Sequence, residues 1–434
     1  MIPANVGYPS WAHWGLYAVL FALLLLLTPN VGFMSDVICW QTWATYSGAH
    51  GLGNAYTLEA NNYNPLYQYV LFGYAKLAGS PAAIAAYIHW LKAFTLIFDF
   101  GGAILAVRYF GWGDANQRFL LSLLFLLNVG YLYNTVAWEQ VDAIVSTLSF
   151  VAVVQALRQR AASSFVWLVL ALNTKTQAII FLPPLLLLWV PQWWQTPRRL
   201  AQALGLGAAV QGVLLLPFAL SGTLPQLGEV VRGAVVHYPF ASLNCYNVWV
   251  LMFSDFLLPD TQLYAGLSLK NWGLLGFCLS SAIILLPLGL ATLLKLRTRM
   301  AFGLADSSLV LHSLWLVPLA FCFFNTQMHE RYWHPALVLL GAHAVLTRRY
   351  VLFGVCSVAY YLNTEALLHL LGALSRYPAP LFRPKLVATL FGGVMLVGTW
   401  QLYRTASPWA IWRQLRQLPR PVATAAQSAG GFPT

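Results

Sequence analysis

The chain has 434 residues, 59% of them hydrophobic and 8% charged, with a mean hydropathy of +0.66; soluble domains average about 25% charged residues, so an ordinary soluble protein is excluded. Its net charge of +12 is spread as short basic clusters between apolar runs. There is neither a basic stripe nor a base-reading motif, which argues against a nucleic-acid partner.

The apolar runs recur at spacings suited to membrane helices of about 20 residues, which predicts an all-α polytopic membrane protein. The first run, Leu16 to Leu27, lacks a preceding basic residue and a following small-residue cleavage site, and reads as an uncleaved first helix. Basic residues are retained on the cytoplasmic side of short loops. Arg108 with Arg118, Arg158 with Arg160, Arg198 with Arg199, Lys295 with Arg297 and Arg299, Arg348 with Arg349, and the tail from Arg404 to Arg420 therefore mark one side. The expected spans are Trp14–Thr28, Ala82–Val107, Phe119–Thr135, Val141–Leu157, Phe165–Leu172, Ala178–Val190, Leu200–Leu220, Trp272–Leu294, Leu309–Phe324, Trp333–Leu346, Val351–Leu370 and Lys385–Leu402. This gives about twelve crossings (11 to 13) with both termini cytoplasmic, in a single domain over residues 1–423 followed by a disordered tail, 424–434. Parity requires that Asn64 to Leu77 lie in or dip into the outer interface instead of crossing.

That topology puts the unusual polar segments on the extracytoplasmic face: a first outer loop over 29–81, a second long segment over 221–270, and three turns. In the first loop, Asp36 precedes Trp40 and Trp43 at helical spacing, on a short helix beginning at Ser35 or Asp36. It reads either as a catalytic carboxylate or as a helix N-cap. Pro65 suits the first turn of a helix that Asn62 or Asn64 can cap, with Tyr63 before it. Glu139 and Asp142 are three apart, so they would share one helical face beside Gln140, either as a functional pair or as a capping pair. Lys175 and Gln177 sit at a broken turn, where a lysine can bind phosphate or snorkel. His329, Glu330, Arg331 and Tyr332 place three ionisable groups in one turn; Arg and His suit an anionic leaving group, and a plain Glu330 to Arg331 ion pair is the alternative. The cysteines, Cys39, Cys245, Cys278, Cys322 and Cys356, have no metal-type spacing. A bridge between Cys39 and Cys245 is conceivable on the outer face, with buried free thiols as the simpler reading.

In order, these motifs are Asp36, Tyr63-Asn64-Pro65-Leu66, Trp138-x-Gln140-x-Asp142, Lys175-x-Gln177-Ala178 with Pro183, Ser242-x-Asn244-x-x-Asn247-x-Trp249, and His329 to Tyr332. Together they resemble the GT-C fold glycosyltransferases, specifically the bacterial proteins similar to the second mannosyltransferase of GPI-anchor assembly. The resemblance spans Asp36 to Asn363, with Glu139 standing where relatives usually have Gly and Asn64 where Pro is common. It implies an inverting transfer of a hexose, mannose first among them, from a polyprenyl-phosphate donor to a hydroxyl of a lipid-linked or glycan acceptor. It further implies Asp36 as general base and Arg331, His329 and Lys175 at the donor phosphate. Glu139, Gln140, Asp142, Tyr63, Asn64, Gln177, Asn244, Asn247, Glu330 and Tyr332 would line or support the site. The expected setting is a bacterial cytoplasmic membrane with its lipids as partners; no cofactor is expected, and no ligand cluster demands a metal. A transporter or flippase of a lipid-linked sugar is the rival, since it too would place charges in the membrane.

Overall fold

The computed structural model describes residues 10–233, 238–370 and 382–418; the tail 424–434, Arg376 and Arg420 lie outside the described residues. The chain begins with α1 (Trp11–Leu27), whose Ser10 accepts from the His13 N–H, and α2 (Met34–His50). Next come α3 (Pro65–Ala78), α4 (Pro81–Tyr87), α5 (Leu91–Phe110), α6 (Ala115–Leu126) and α7 (Val129–Val136). The apolar helices α8 (Asp142–Leu157), α9 (Ala161–Leu172), α10 (Leu182–Gln195) and α11 (Arg198–Leu220) follow without long loops. The second long segment folds as α12 (Leu224–Gly233), α13 (Val248–Met252) and a small antiparallel pair, β1 (Leu263–Tyr264) with β2 (Leu267–Ser268). The long α14 (Leu269–Arg297), α15 (Ser307–Phe324), α16 (His334–Thr347), α17 (Val351–Leu368), α18 (Pro384–Thr405) and α19 (Pro408–Gln417) complete the fold.

Seven helical stretches are long and apolar enough to cross a membrane, and α6 with α7, bent by 60°, makes an eighth among the described residues. Helices occupy all twelve expected positions, but α1, α8, α9 and α16 are only 17, 16, 12 and 14 residues long. These are shorter than the about 20 residues of a perpendicular crossing. By length and composition alone, seven or eight of the expected crossings meet that measure among the described residues. The shortening has a local cause: α8 and α16 begin at buried polar residues, Asp142 and His334, and α9 ends at the polar turn Asn173 to Lys175. The segment over 64–77 forms α3, which is 14 residues long.

Burial sorts the helices into layers. α15 is buried over 78% of its most apolar window, whereas α11 and α14 reach only 17% and 22%. On the outer helices Val213, Leu216, Leu220, Leu274, Leu279 and Ile283 stand exposed in continuous apolar faces. In water such faces would be interaction surfaces or aggregation sites; against lipid tails they are solvated. The core is closed by Trp333 stacked on Phe391 at 3.8 Å. Four of the basic clusters meet at one end of the bundle. Arg118 donates to the Arg108 carbonyl, Arg158 to the Tyr109 hydroxyl and Arg199 to the Gln159 carbonyl, and Arg348 stacks on Trp112 at 4.4 Å. The polar turns collect at the other end, since α5 runs from Leu91 beside them to Phe110 among the arginines.

Close backbone approach holds α7 to α17. A Cβ on Gly130 would stand 2.2 Å from the Ser357 carbonyl oxygen, and Asn128 donates to the Ser357 hydroxyl at 2.8 Å. Gly130→Ala is expected to destabilise the protein by about 1–3 kcal/mol through overpacking. Gly205→Ala, at a site with nothing within 4 Å, serves as the neutral control. The thermal unfolding midpoint in one detergent checks the pair.

Candidate functional site

Asp36 lies in the first turn of α2, which starts at Met34 and runs to His50, longer than the short helix expected. The N-cap position belongs to Phe33 and carries no side-chain cap, so Asp36 does not cap the helix. Its Oδ2 instead accepts from the Trp138 indole N–H at 2.9 Å. Trp138 is fully buried and held in turn by Phe33, whose N–H donates to the Trp138 carbonyl at 3.2 Å and whose ring stacks on the indole at 4.9 Å. The half-buried carboxylate thus keeps its second oxygen available, on a rigid support. One turn further along α2, Trp40 and Trp43 pack edge-on and tilted against Tyr63 at 4.9 and 5.4 Å. The Tyr63 hydroxyl donates to Gln140 at 3.1 Å.

An ion network lies in the electrostatic neighbourhood of this carboxylate. The Lys175 ammonium sits 2.6 Å from Asp142 Oδ1, and Arg331 Nε lies 4.0 Å from Asp142 Oδ2, to which Asn134 also donates at 3.3 Å. Arg331 Nη1 reaches Glu330 at 3.2 Å, and His329 Nδ1 lies 3.9 Å from the other Glu330 oxygen. Lys175 stands over the rings of Tyr63 and Tyr332 at 5.6 and 5.7 Å, and Tyr332 hydrogen-bonds Gln177. The charge of Asp36 acts on Arg331, Lys175, Glu330 and Tyr63, so all of them share one electrostatic neighbourhood. Burial pushes the Glu330 carboxyl up to about 7, opposed by Arg331. Burial also lowers the Lys175 ammonium, opposed by Asp142.

Other expected site residues hold the frame. Asn64 occupies the N-cap position of α3, but its amide donates to the Leu172 carbonyl at 2.6 Å and to Thr176 at 3.2 Å, tying the first loop to the Lys175 turn. Asn247 is buried and caps α13, and its amide donates to the Cys322 and Asn325 carbonyls at 3.1 and 3.3 Å. Asn244 takes a left-handed φ of 59°; its carbonyl accepts from Asn363, and its backbone bridges to His329. The motif from Ser242 to Trp249 is therefore a clasp on the segment that carries His329 to Tyr332.

Glu139 departs from the expected arrangement. It precedes α8 with a left-handed φ of 65°, so it does not share a helical face with Asp142. Its carboxylate turns the other way, to His89 Nδ1 at 2.7 Å and Lys92 Nζ at 3.7 Å. Lys92 also donates to Asn30 at 2.8 Å, which pins the start of the first loop. Burial raises the Glu139 carboxyl, and His89 and Lys92 oppose that shift. A non-glycine residue costs about 1–2 kcal/mol in this conformation, and the ion pairs offset that cost. Cys39 and Cys245 are free thiols, so the conceivable bridge is not formed.

Sequence reasoning missed Trp138 as the donor to Asp36, the Glu139 partners His89 and Lys92, and Asn363. It also missed Asp99, buried in α5 at 3.8 Å from His334. An acid inside the apolar run Ala82–Val107 was the available signal for Asp99; the others required the tertiary contacts. Among the described residues no cluster of His, Cys, Asp and Glu could hold a metal ion.

No protein-family model and no curated protein matches the chain. The fold and the burial pattern define a multi-pass, nearly all-α integral membrane protein. Within that class it is a bundle whose polar turns, carrying Asp36, Asp142, Lys175 and Arg331, converge at one end.

Removing one partner of a buried ion pair leaves the other charge uncompensated. Lys175→Met is expected to cost about 3–5 kcal/mol of stability, and the double variant Lys175→Met with Asp142→Asn should recover most of it. Thermal unfolding of the three proteins in one detergent tests the pairing.

Proposed function

We propose that the chain is a GT-C fold, inverting hexosyltransferase of about twelve membrane passes. It takes a hexose, mannose first among candidates, from a polyprenyl-phosphate donor. The observation that carries this reading is Asp36: a half-buried carboxylate held through one oxygen by Trp138, in the same electrostatic neighbourhood as Arg331 and Lys175. A base needs an oriented carboxylate, and a leaving phosphate needs fixed cations that require no reorganisation. In the proposed step the acceptor hydroxyl gives its proton to Asp36 while its oxygen forms a bond to the anomeric carbon. The bond from that carbon to the phosphate oxygen breaks, its electron pair leaves on the lipid phosphate, and the configuration inverts. Arg331, aided by His329 and Lys175, stabilises the added negative charge. Both termini are then cytoplasmic, in keeping with the basic end of the bundle, and the site faces the extracytoplasmic side of a bacterial cytoplasmic membrane.

A second reading, transport or flipping of a lipid-linked sugar, draws on Asp99 and His334, ionisable residues buried within the bundle. Reconstituted vesicles separate the two. Labelled sugar covalently joined to a new acceptor supports transfer; the unaltered lipid-linked sugar crossing the bilayer supports transport.

Asp36→Asn is expected to reduce transfer from polyprenyl-phosphate hexose by about 10²–10⁴-fold, the span of general-base catalysis. Donor binding should be retained, and near-normal turnover would remove the base assignment. The raised Glu330 carboxyl sets a pH dependence with a defined sign. Below about 7 it is protonated and Arg331 loses one of its anionic partners, so more of the guanidinium's charge is available to the donor phosphate. The apparent donor KM should therefore be lower at pH 6 than at pH 8. In Glu330→Gln it should stay low across that range, which steady-state kinetics at fixed acceptor will test.

A further inference from the structure

The last helix among the described residues, α19, separates into two stripes. Pro408, Ile411 and Leu415 recur at helical spacing and form the covered one, with α19 packed on α14 and Leu415 buried. Trp409, Trp412, Arg413 and Arg416, also at helical spacing, form the other, and all four are exposed. The two indoles are 61% and 38% exposed, far more than large aromatic rings packed into a fold. Arg413 lies over the Trp409 ring at 5.8 Å and Arg416 over the Trp412 ring at 5.2 Å. Just before the break that starts the helix, Arg404 lies over Trp400 at 4.9 Å. The far end of α19 is pinned to the basic end of the bundle, because Arg297, the last residue of α14, donates to the Leu415 carbonyl at 3.0 Å.

No acid answers these arginines. The chain has none after Glu365, and Asp306, which enters at this end, is paired with Lys295 at 3.0 Å. Exposed indoles beside uncompensated guanidinium groups suit one environment, the headgroup layer of a bilayer. There an indole has an apolar side and a wet side. The layer also carries phosphate, whose oxygens guanidinium groups bind in pairs of hydrogen bonds. A guanidinium already resting on an indole gives up less freedom when it does so.

We propose that the Trp–Arg stripe of α19 binds the phosphate headgroups of anionic phospholipids in the leaflet bordering the basic end of the bundle. Charge selects the lipid class. A zwitterionic headgroup brings its own cation against Arg413 and Arg416, whereas phosphatidylglycerol brings only the phosphate. Each basic residue near an anionic surface is worth about fivefold in binding. The proposal is independent of the chemistry at the opposite end of the bundle and holds for a transferase and a transporter alike.

The test is hydrogen exchange of the full chain in neutral detergent micelles doped with rising phosphatidylglycerol, read on the peptide over 408–418. Amide protection of α19 should rise and saturate with phosphatidylglycerol and stay flat with phosphatidylcholine. The double variant Arg413→Gln with Arg416→Gln should raise the mole fraction needed for half protection by about 25-fold, two steps of about fivefold. Arg413→Lys with Arg416→Lys, which keeps both charges, should restore most of that loss. Both positions are exposed, so the thermal midpoint in plain detergent should not move in either variant. Equal protection by phosphatidylcholine overturns the proposal, as does a half-protection point that the glutamine pair leaves in place. Protection by soluble glycerol 3-phosphate at the same concentration overturns it too, since the stripe is then a site for free anions. Protection by a short RNA at lower concentration than the lipid assigns the stripe to nucleic acid and likewise overturns it.

Discussion

The Asp142 to Lys175 ion pair is the constraint on which the polar end of the bundle depends. Both side chains are almost fully buried, at 2.6 Å from each other. A single charge in such a place would be prohibitive, so the pair forces α8 and the turn after α9 into one arrangement. That arrangement sets Gln177 against Tyr332 and brings Arg331 to the second oxygen of Asp142. One acid therefore orders two cations from distant parts of the chain, with Asn134 satisfying what remains. Buried ion pairs are weak sources of stability, and positioning is the better account of this one.

The remaining acids are divided by backbone geometry. Asp36 sits on a helix and is held by an indole that the turn after α7 supplies. Glu139, the next residue after that Trp138, is thrown to the opposite side by its left-handed backbone and braces the start of the first loop through Lys92. Trp138 thus has a carboxylate gripping its neighbourhood on each side, one available to chemistry and one committed to structure. Such a brace fixes the start of the first loop relative to α5.

Solvent decides the rest of the architecture. The helices with polar contacts, α8, α15 and α16, occupy the centre, and those with uniform apolar faces, α11 and α14, lie outside. In hydrocarbon there is no hydrophobic drive between helices, so close packing and polar contacts must hold them together. Gly130 against Ser357 and the amide of Asn363, shared among Asn244, Tyr246 and Trp333, are contacts of that kind.

The sequence by itself determined the class of protein and the position of its helices, because apolar run length and the spacing of basic clusters are local properties imposed by the bilayer. It also marked Asp36, Asp142, Lys175 and Arg331, since ionisable groups beside apolar runs are too expensive to be incidental. Only the tertiary structure decided which of them meet. Glu139 and Asp142 were paired by a helical spacing that fails, because a positive φ before the helix is invisible to periodicity. Asn64 and Asn247, legible as site residues by type, proved to be spent on carbonyls of other helices. Trp138 became the support of Asp36 only through a contact with a residue 102 positions earlier, and no local pattern encodes a partner at that distance.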